Sequence, residues 1–352
     1  MRVVYHLPND DLREAQREAV AAEAAGFDGV VALENAPGPF PPLAVAALAT
    51  ERVQIGTAVA IAFPRSPTIT AHAAWDLNKA SNGRFYLGLG SQVKGHNERR
   101  YGIPWTPPAP RMRDYIGAVR AVWRAWETGE KLDYHSDNYE LTLTTPNFAP
   151  KPLGLPRIPI AMSAVGPAML RVGGEVADGV RLHPFSTQRY LQEVSLARIG
   201  EGLERSHQAG GRARENIEVV SGAFIATGAD EEAVARMKEY IRFRISFYCS
   251  TRAYWHVLRL HNMEDLGLKL HPLPGAGRWD EMASLIPDDV VDLFAIVGTH
   301  DEIGAKIAER YQGLADTLSL FIPTDTDPGP LAEVVQDIQR IPTPFKGYGT
   351  GW

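Results

Sequence analysis

Apolar positions along this chain keep two periods in turn: short runs of β-branched and small residues, then longer stretches with an apolar residue every three or four places. The runs at residues 2–7, 27–33, 53–60 and 84–90 predict strands. Between them, residues 11–25, 40–50 and 66–80 predict helices. Gly26 stops the first, and Ser66-Pro67 opens the third as an N-cap followed by proline at the first helical position. Residues 111–126 give the clearest helix, with Met112, Tyr115, Ile116, Val119, Val122, Trp123 and Trp126 on one face.

The second half repeats the theme. Residues 131–143 alternate like a small hairpin outside the main sheet. Strands are predicted at 158–163, 178–182, 218–227 and 317–322, with helices after Gly166-Pro167, within 187–208, at 230–247 and at 328–341. Thr299 and Glu302 form a capping box for a further helix through Ile303, Ile307, Tyr311 and Leu314. Eight strand–helix units with no run of hairpins imply parallel neighbours, since parallel strands need a crossover. Eight such units close into a (β/α)8 TIM barrel, read as a single domain over residues 1–352. Residues 249–289 carry Pro, Gly, His and Trp without periodicity and read as an insertion between strands 7 and 8, in the manner of a lid. A doubly wound open sheet is the competitor, but Gly88-Leu89-Gly90-Ser91-Gln92-Val93 puts Val93 where its fingerprint needs a third glycine.

Composition narrows the function. Thirty-six basic against forty-two acidic side chains leave a formal charge of −6, which opposes binding to nucleic acid or to an anionic membrane surface. No apolar run approaches the roughly 18 residues that span a bilayer. The one cysteine, Cys249, permits no internal disulfide. Zinc-type histidine pairs, the G-x-S-x-G elbow and the phosphate-binding P-loop are all missing, so metal and serine-hydrolase chemistry lack a signal. The expectation is a cytoplasmic protein that acts on a small molecule.

Active sites of such barrels lie at the C-terminal strand ends. There the sequence places His6, Glu34 and Asn35, then Ala58-Val59, Gly90-Ser91-Gln92, Ser163-Ala164 and His183, with His96 and Arg99 just beyond strand 4. Each has a bland reading as a satisfied strand end or turn residue; Asn35 before Pro37-Gly38-Pro39 can simply shape a turn. Their convergence carries the argument. Ser163-Ala164-Val165-Gly166-Pro167 is a small-residue turn between a buried strand and a helix, which presents backbone N–H groups and the helix dipole to an anion such as phosphate. A plain strand–helix connection is the alternative.

Several stretches resemble the luciferase-like monooxygenases, the bacterial luciferase superfamily, in the branch that uses the deazaflavin coenzyme F420. They are A-A-E-A-A-G-F-D at 21–28, I-G-T-A-V at 55–59, Arg65-Ser66-Pro67, and A-A-W-D-L-N-K-A-S-N-G-R-F-Y-L-G-L at 73–89, followed by 159–170 and Ala177-Asp178-Gly179. The resemblance covers about half the chain and implies a (β/α)8 barrel with an insertion before the last strand. It implies a non-prolyl cis peptide at Ala58–Val59 that presses on the middle of a flavin-like ring. It also implies a cofactor phosphate at Ser163, Ala164, Val165 and Gly166 and near Ser91, Gln92 and Val93, with Gly90 beside them, and a homodimer.

Two departures matter. Bacterial luciferase has a catalytic histidine where this chain has Asn35, which exchanges no proton near neutral pH, and an arginine by the phosphate where this chain has Ser91. Arg99 or Lys94 then compensates at the phosphate, and His6, Glu34, His96 or His183 supplies the acid or base. A histidine is favoured because its ordinary pKa lies near neutrality. The reading is hydride transfer between F420 and a small organic substrate. An FMN-dependent monooxygenase and a cofactor-binding barrel without turnover are the alternatives.

Overall fold

A computed structural model describes residues 1–206, 212–320 and 329–351. Eight parallel strands close into one barrel: β1 (Arg2–His6), β2 (Gly29–Ala32), β3 (Gln54–Thr57), β4 (Phe85–Gly90), β5 (Ile160–Ala164), β6 (Gly179–Leu182), β7 (Glu218–Gly222) and β8 (Thr317–Leu320). The ring is completed where β1 pairs with β8 and β3 with β4. The expected helices cover it at Leu12–Ala24, Phe40–Ala49, Pro67–Ala80, Pro108–Thr128, Pro167–Val176 and Leu196–Arg205. Asp11 and Ser66 cap their helices by accepting from Arg13 N and Ile69 N. The predicted hairpin near residues 131–143 is a short antiparallel pair.

Strand parity sorts the residues. Outward positions such as Val3, Tyr5, Val30, Ile55, Leu87, Met162, Val180 and Leu318 join the helices in the main core. Inward positions include Val4, Val31, Tyr86 and Ala161, which form a small separate cluster. The Tyr86 ring fills the interior so fully that a Cβ on Gly56 would lie 2.2 Å from it. One acidic device recurs at the N-terminal end. Asp28, Asp178 and Asp316, each just before an even-numbered strand, accept the backbone N–H of Val3, Ile160 and Val219 on the preceding strand at 2.7, 2.9 and 2.7 Å. The carboxylate takes a donor that the ladder leaves open there.

Three expectations need correction. The run at 218–227 is two strands: β7 stops at Gly222, and Phe224–Gly228 leaves the barrel to pair in parallel with Ala295–Thr299, a strand the pattern did not suggest. Beside Gly222 lies Pro184, which has no N–H to continue the ladder. The capping box forms only in half: the Glu302 carboxylate takes the Thr299 backbone N–H, while the Thr299 side chain caps nothing. Residues 249–289, read as aperiodic, fold into short helices between β7 and β8. These pack with Glu231–Cys249 around their own apolar cluster, including Phe185, Ile245, Trp255 and Phe294. The predicted ends of the sixth helix (207–208), of β8 (321–322) and the start of the last helix (328) lie outside the described residues. Among the described residues no helix is long and apolar enough to cross a membrane.

Candidate functional site

At the C-terminal mouth β3 carries an extra residue. Gly56 pairs with Tyr86 and Ala60 with Leu89, so four steps on one strand face three on the other. The peptide Ala58–Val59 within this bulge is cis. Thr57 fills the gap in the ladder, its hydroxyl accepting from Gly88 N at 2.9 Å and donating to Gly88 O at 2.6 Å. The glycines of β4 follow from that approach: a Cβ on Gly88 would lie 1.9 Å from Thr57 O, and one on Gly90 2.6 Å from Val59 Cγ2. The G-x-G at 88–90 therefore makes room for a bulge, a role the dinucleotide fingerprint does not describe.

The bulge stands between two connected hollows, both lined by Ala58, Val59, Ser163, His183 and Tyr248. One is an open groove between the turn after β4 and the turn after β5. Gly90, Ser91, Gln92, Val93, Lys94, Ser163, Ala164, Val165 and Gly166 all line it, together with Glu34 and His256. Its walls are held firmly. The buried Asn97 amide donates to Ser91 O and Val93 O at 2.9 and 3.1 Å, and Tyr190 OH donates to Val165 O at 3.0 Å. Gly166 is the N-cap of Pro167–Val176 and has no side chain to occupy the helix end. The small residues of the turn after β5 leave a slot for a planar ring, and the helix end with Ser163 and Lys94 suits a phosphate. These residues fit a flavin-type cofactor.

The other hollow is a mostly apolar chamber of about 1000 Å³, counting its open mouth, beneath helix Glu231–Cys249. Its floor is a polar group: His6 Nε2 lies 2.6 Å from Ser319 Oγ, and Arg181 donates to Ser319 Oγ and to Tyr86 OH at 3.2 Å each. Its roof is Arg244, donating to Tyr240 OH and Tyr248 OH at 3.1 and 2.9 Å. Tyr248 and Tyr254 pack against the His183 ring, with centroids 4.3 and 4.6 Å away, and leave it half-buried.

The structure brings His6, His183, Ala58, Val59 and the two turns together, and it places the other expected residues elsewhere. Asn35 is exposed and outside both hollows; its side-chain oxygen accepts from Ala36 N at 2.7 Å, the turn-shaping role. His96 and Arg99 lie exposed on the short helix Lys94–Arg99 and line neither hollow. Glu34 reaches the groove but is fully committed. Arg65 grips both its oxygens at 2.7 and 2.8 Å, and Ile61 N donates to it at 2.7 Å, so it braces the bulge from behind. The histidines do not keep their ordinary pKa. Burial, helped by Arg181, pushes His6 down to about 3, and burial, helped by Arg244, pushes His183 down to about 3. Both rings are neutral at pH 7 and are poor proton carriers. His183 Nδ1 accepts from Phe185 N at 3.0 Å, which leaves its proton on Nε2.

Sequence reasoning missed Thr57, Tyr86, Arg181, Ser319, Arg244 and Tyr248. One signal existed: in Gly179-Val180-Arg181-Leu182-His183, parity puts Arg181 on the same inward face as His183. Arg244 and Tyr248 gave none, because helix Glu231–Cys249 reaches the barrel only by tertiary packing.

The model of the luciferase-like monooxygenase family matches residues 2–317. Rv1360 of Mycobacterium tuberculosis, a protein without an assigned activity, is 41% identical over 335 residues, covering 95% of this chain and 96% of its own. Rv3520c of the same organism, named for coenzyme F420-dependent oxidoreductase activity, is 32% identical over 300 residues, 82% of this chain and 84% of its own. In fold, the chain matches the F420-dependent tetrahydromethanopterin reductase of Methanopyrus kandleri with a TM-score of 0.79 at 21% identity, covering 96% of this chain and 98% of that one. Solved structures of the same fold also include an FMN-bound monooxygenase component.

Proposed function

We propose, from the premise that the chain belongs to the luciferase-like monooxygenase family, that it is a coenzyme F420-dependent oxidoreductase. It moves hydride between the deazaflavin and a small organic substrate. The observation that carries this reading is the bulge at Ala58–Val59, set between a groove that ends at a helix N-terminus and a mostly apolar chamber. Those are the three surroundings a hydride-transfer site needs: a back wall for the ring, an anchor for the tail and a dry space for the acceptor.

Ser163, the N–H groups at the start of Pro167–Val176 and Lys94 would hold the phosphate. Ala58 and Val59 would back the ring. When bound, F420 supplies a ring carbon that gives or takes hydride. His183, neutral and protonated on Nε2, would donate a hydrogen bond to a substrate oxygen, and Tyr248 and Tyr254 pack against its ring.

Fluorescence titration with F420, and separately with FMN, tests the cofactor. F420 is expected to bind at least about tenfold more tightly, roughly 1.4 kcal/mol. Tighter FMN binding makes the chain a flavin monooxygenase, and binding of neither removes the redox reading.

A further inference from the structure

Among the described residues, the cation at the chamber floor has no counter-ion. Arg181 is 7% exposed, and its two hydrogen bonds both go to neutral hydroxyls at 3.2 Å, the long end of the range. Among the described residues no carboxylate forms an ion pair with it, and none lines the chamber. The nearby acid Glu218 is taken up by Arg2, Thr317 and Tyr348. Buried guanidinium groups are ordinarily matched by a carboxylate, because an unpaired charge is costly away from water. Several other arginines follow this: Arg120 and Arg157 share Asp178, Arg214 takes Asp316, and Arg65 takes Glu34, while Arg84 and Arg310 are taken up by backbone carbonyls. Above Arg181 the walls are Leu182, Ala223, Phe224, Ile225, Met237 and Ile241.

We propose that the substrate is an apolar carboxylic acid whose carboxylate is taken by Arg181 at the chamber floor, with Ser319 as a second hydrogen-bonding partner. The hydrocarbon body lies along the apolar walls. The same chamber opens on Ala58 and Val59, so a carbon some distance from the carboxylate comes to face the bulge. This last point rests on the deazaflavin reading; the anion anchor does not.

Octanoate is the probe, compared with octan-1-ol, which has the same chain without the charge. Calorimetric titration of the purified wild-type protein is expected to give octanoate an affinity at least about tenfold higher, as a charge-assisted bidentate pair provides. Arg181→Gln is expected to abolish that preference, and Arg181→Lys to retain part of it, since a point charge replaces the planar fork. Equal binding of the two probes by the wild-type protein overturns the proposal, whatever the variants do. So does an Arg181→Gln variant, folded by circular dichroism, that keeps the preference. Repeating the titration with and without F420 separates the two readings. Octanoate preference without any F420 affinity leaves the anchor standing and removes the deazaflavin; F420 affinity without the preference does the reverse.

Discussion

Arg2 and Arg181 both enter the barrel interior, from opposite ends, and their surroundings differ in kind. At the N-terminal end Arg2 pairs with Glu218 at 2.9 Å and donates to Gln54 at 2.5 Å, while Thr317 and Tyr348 donate to the same glutamate. That network is satisfied from within the chain. At the C-terminal end Arg181 finds, among the described residues, only hydroxyls, beside a histidine held neutral and a chamber with apolar walls. The two ends of the barrel axis differ: one neutralises its buried charge within the chain, and the other, among the described residues, leaves a buried charge facing the chamber.

The largest expected effect tests the closed end. Glu218→Ala leaves Arg2 in the barrel without its partner and is expected to cost about 3–5 kcal/mol of stability. Urea unfolding measures it, and a loss below about 1 kcal/mol would erase the contrast between the two ends.

A smaller effect tests the open end. His6 and His183 have folded-state pKa values of about 3, below the ordinary 6.5. Between those limits the unfolded chain binds protons that the folded chain refuses, so stability falls as the pH falls. Each histidine is expected to take away about 1.7 kcal/mol between pH 6.5 and pH 5, the slope approaching 1.36 kcal/mol per unit only once the unfolded imidazole is fully protonated. Unfolding free energies at the two pH values give the slope, and His6→Gln should make it one proton shallower. An unchanged slope would mean that His6 is not held neutral at the chamber floor.

The smallest effect concerns residues outside both ends. Asn35→Ala and His96→Ala are expected to change F420 and octanoate affinity less than about twofold, within roughly 0.5 kcal/mol. A tenfold loss in either would place that side chain in the site despite its exposure.

Local chemistry was legible in the chain. Strand and helix periods, eight strand–helix units in succession and the Ser66-Pro67 start announced a closed parallel barrel. The strand end at 90–92 and the small-residue turn at 163–166 marked its functional mouth, because a turn depends on the residues that make it. Asn35, His96 and Arg99 were misplaced because sequence distance from a strand end says nothing of the direction a loop takes. Glu34 was misjudged because its partner Arg65 lies 31 residues away.

The sequence by itself determined the eight barrel strands, most of the helices that cover them, and the small-residue turn at 163–166. Only the tertiary structure decided which charges are paired, which histidines stay neutral and which helix roofs the chamber. Solvation and ion pairing depend on what folds over a group from far along the chain, and no local period records that.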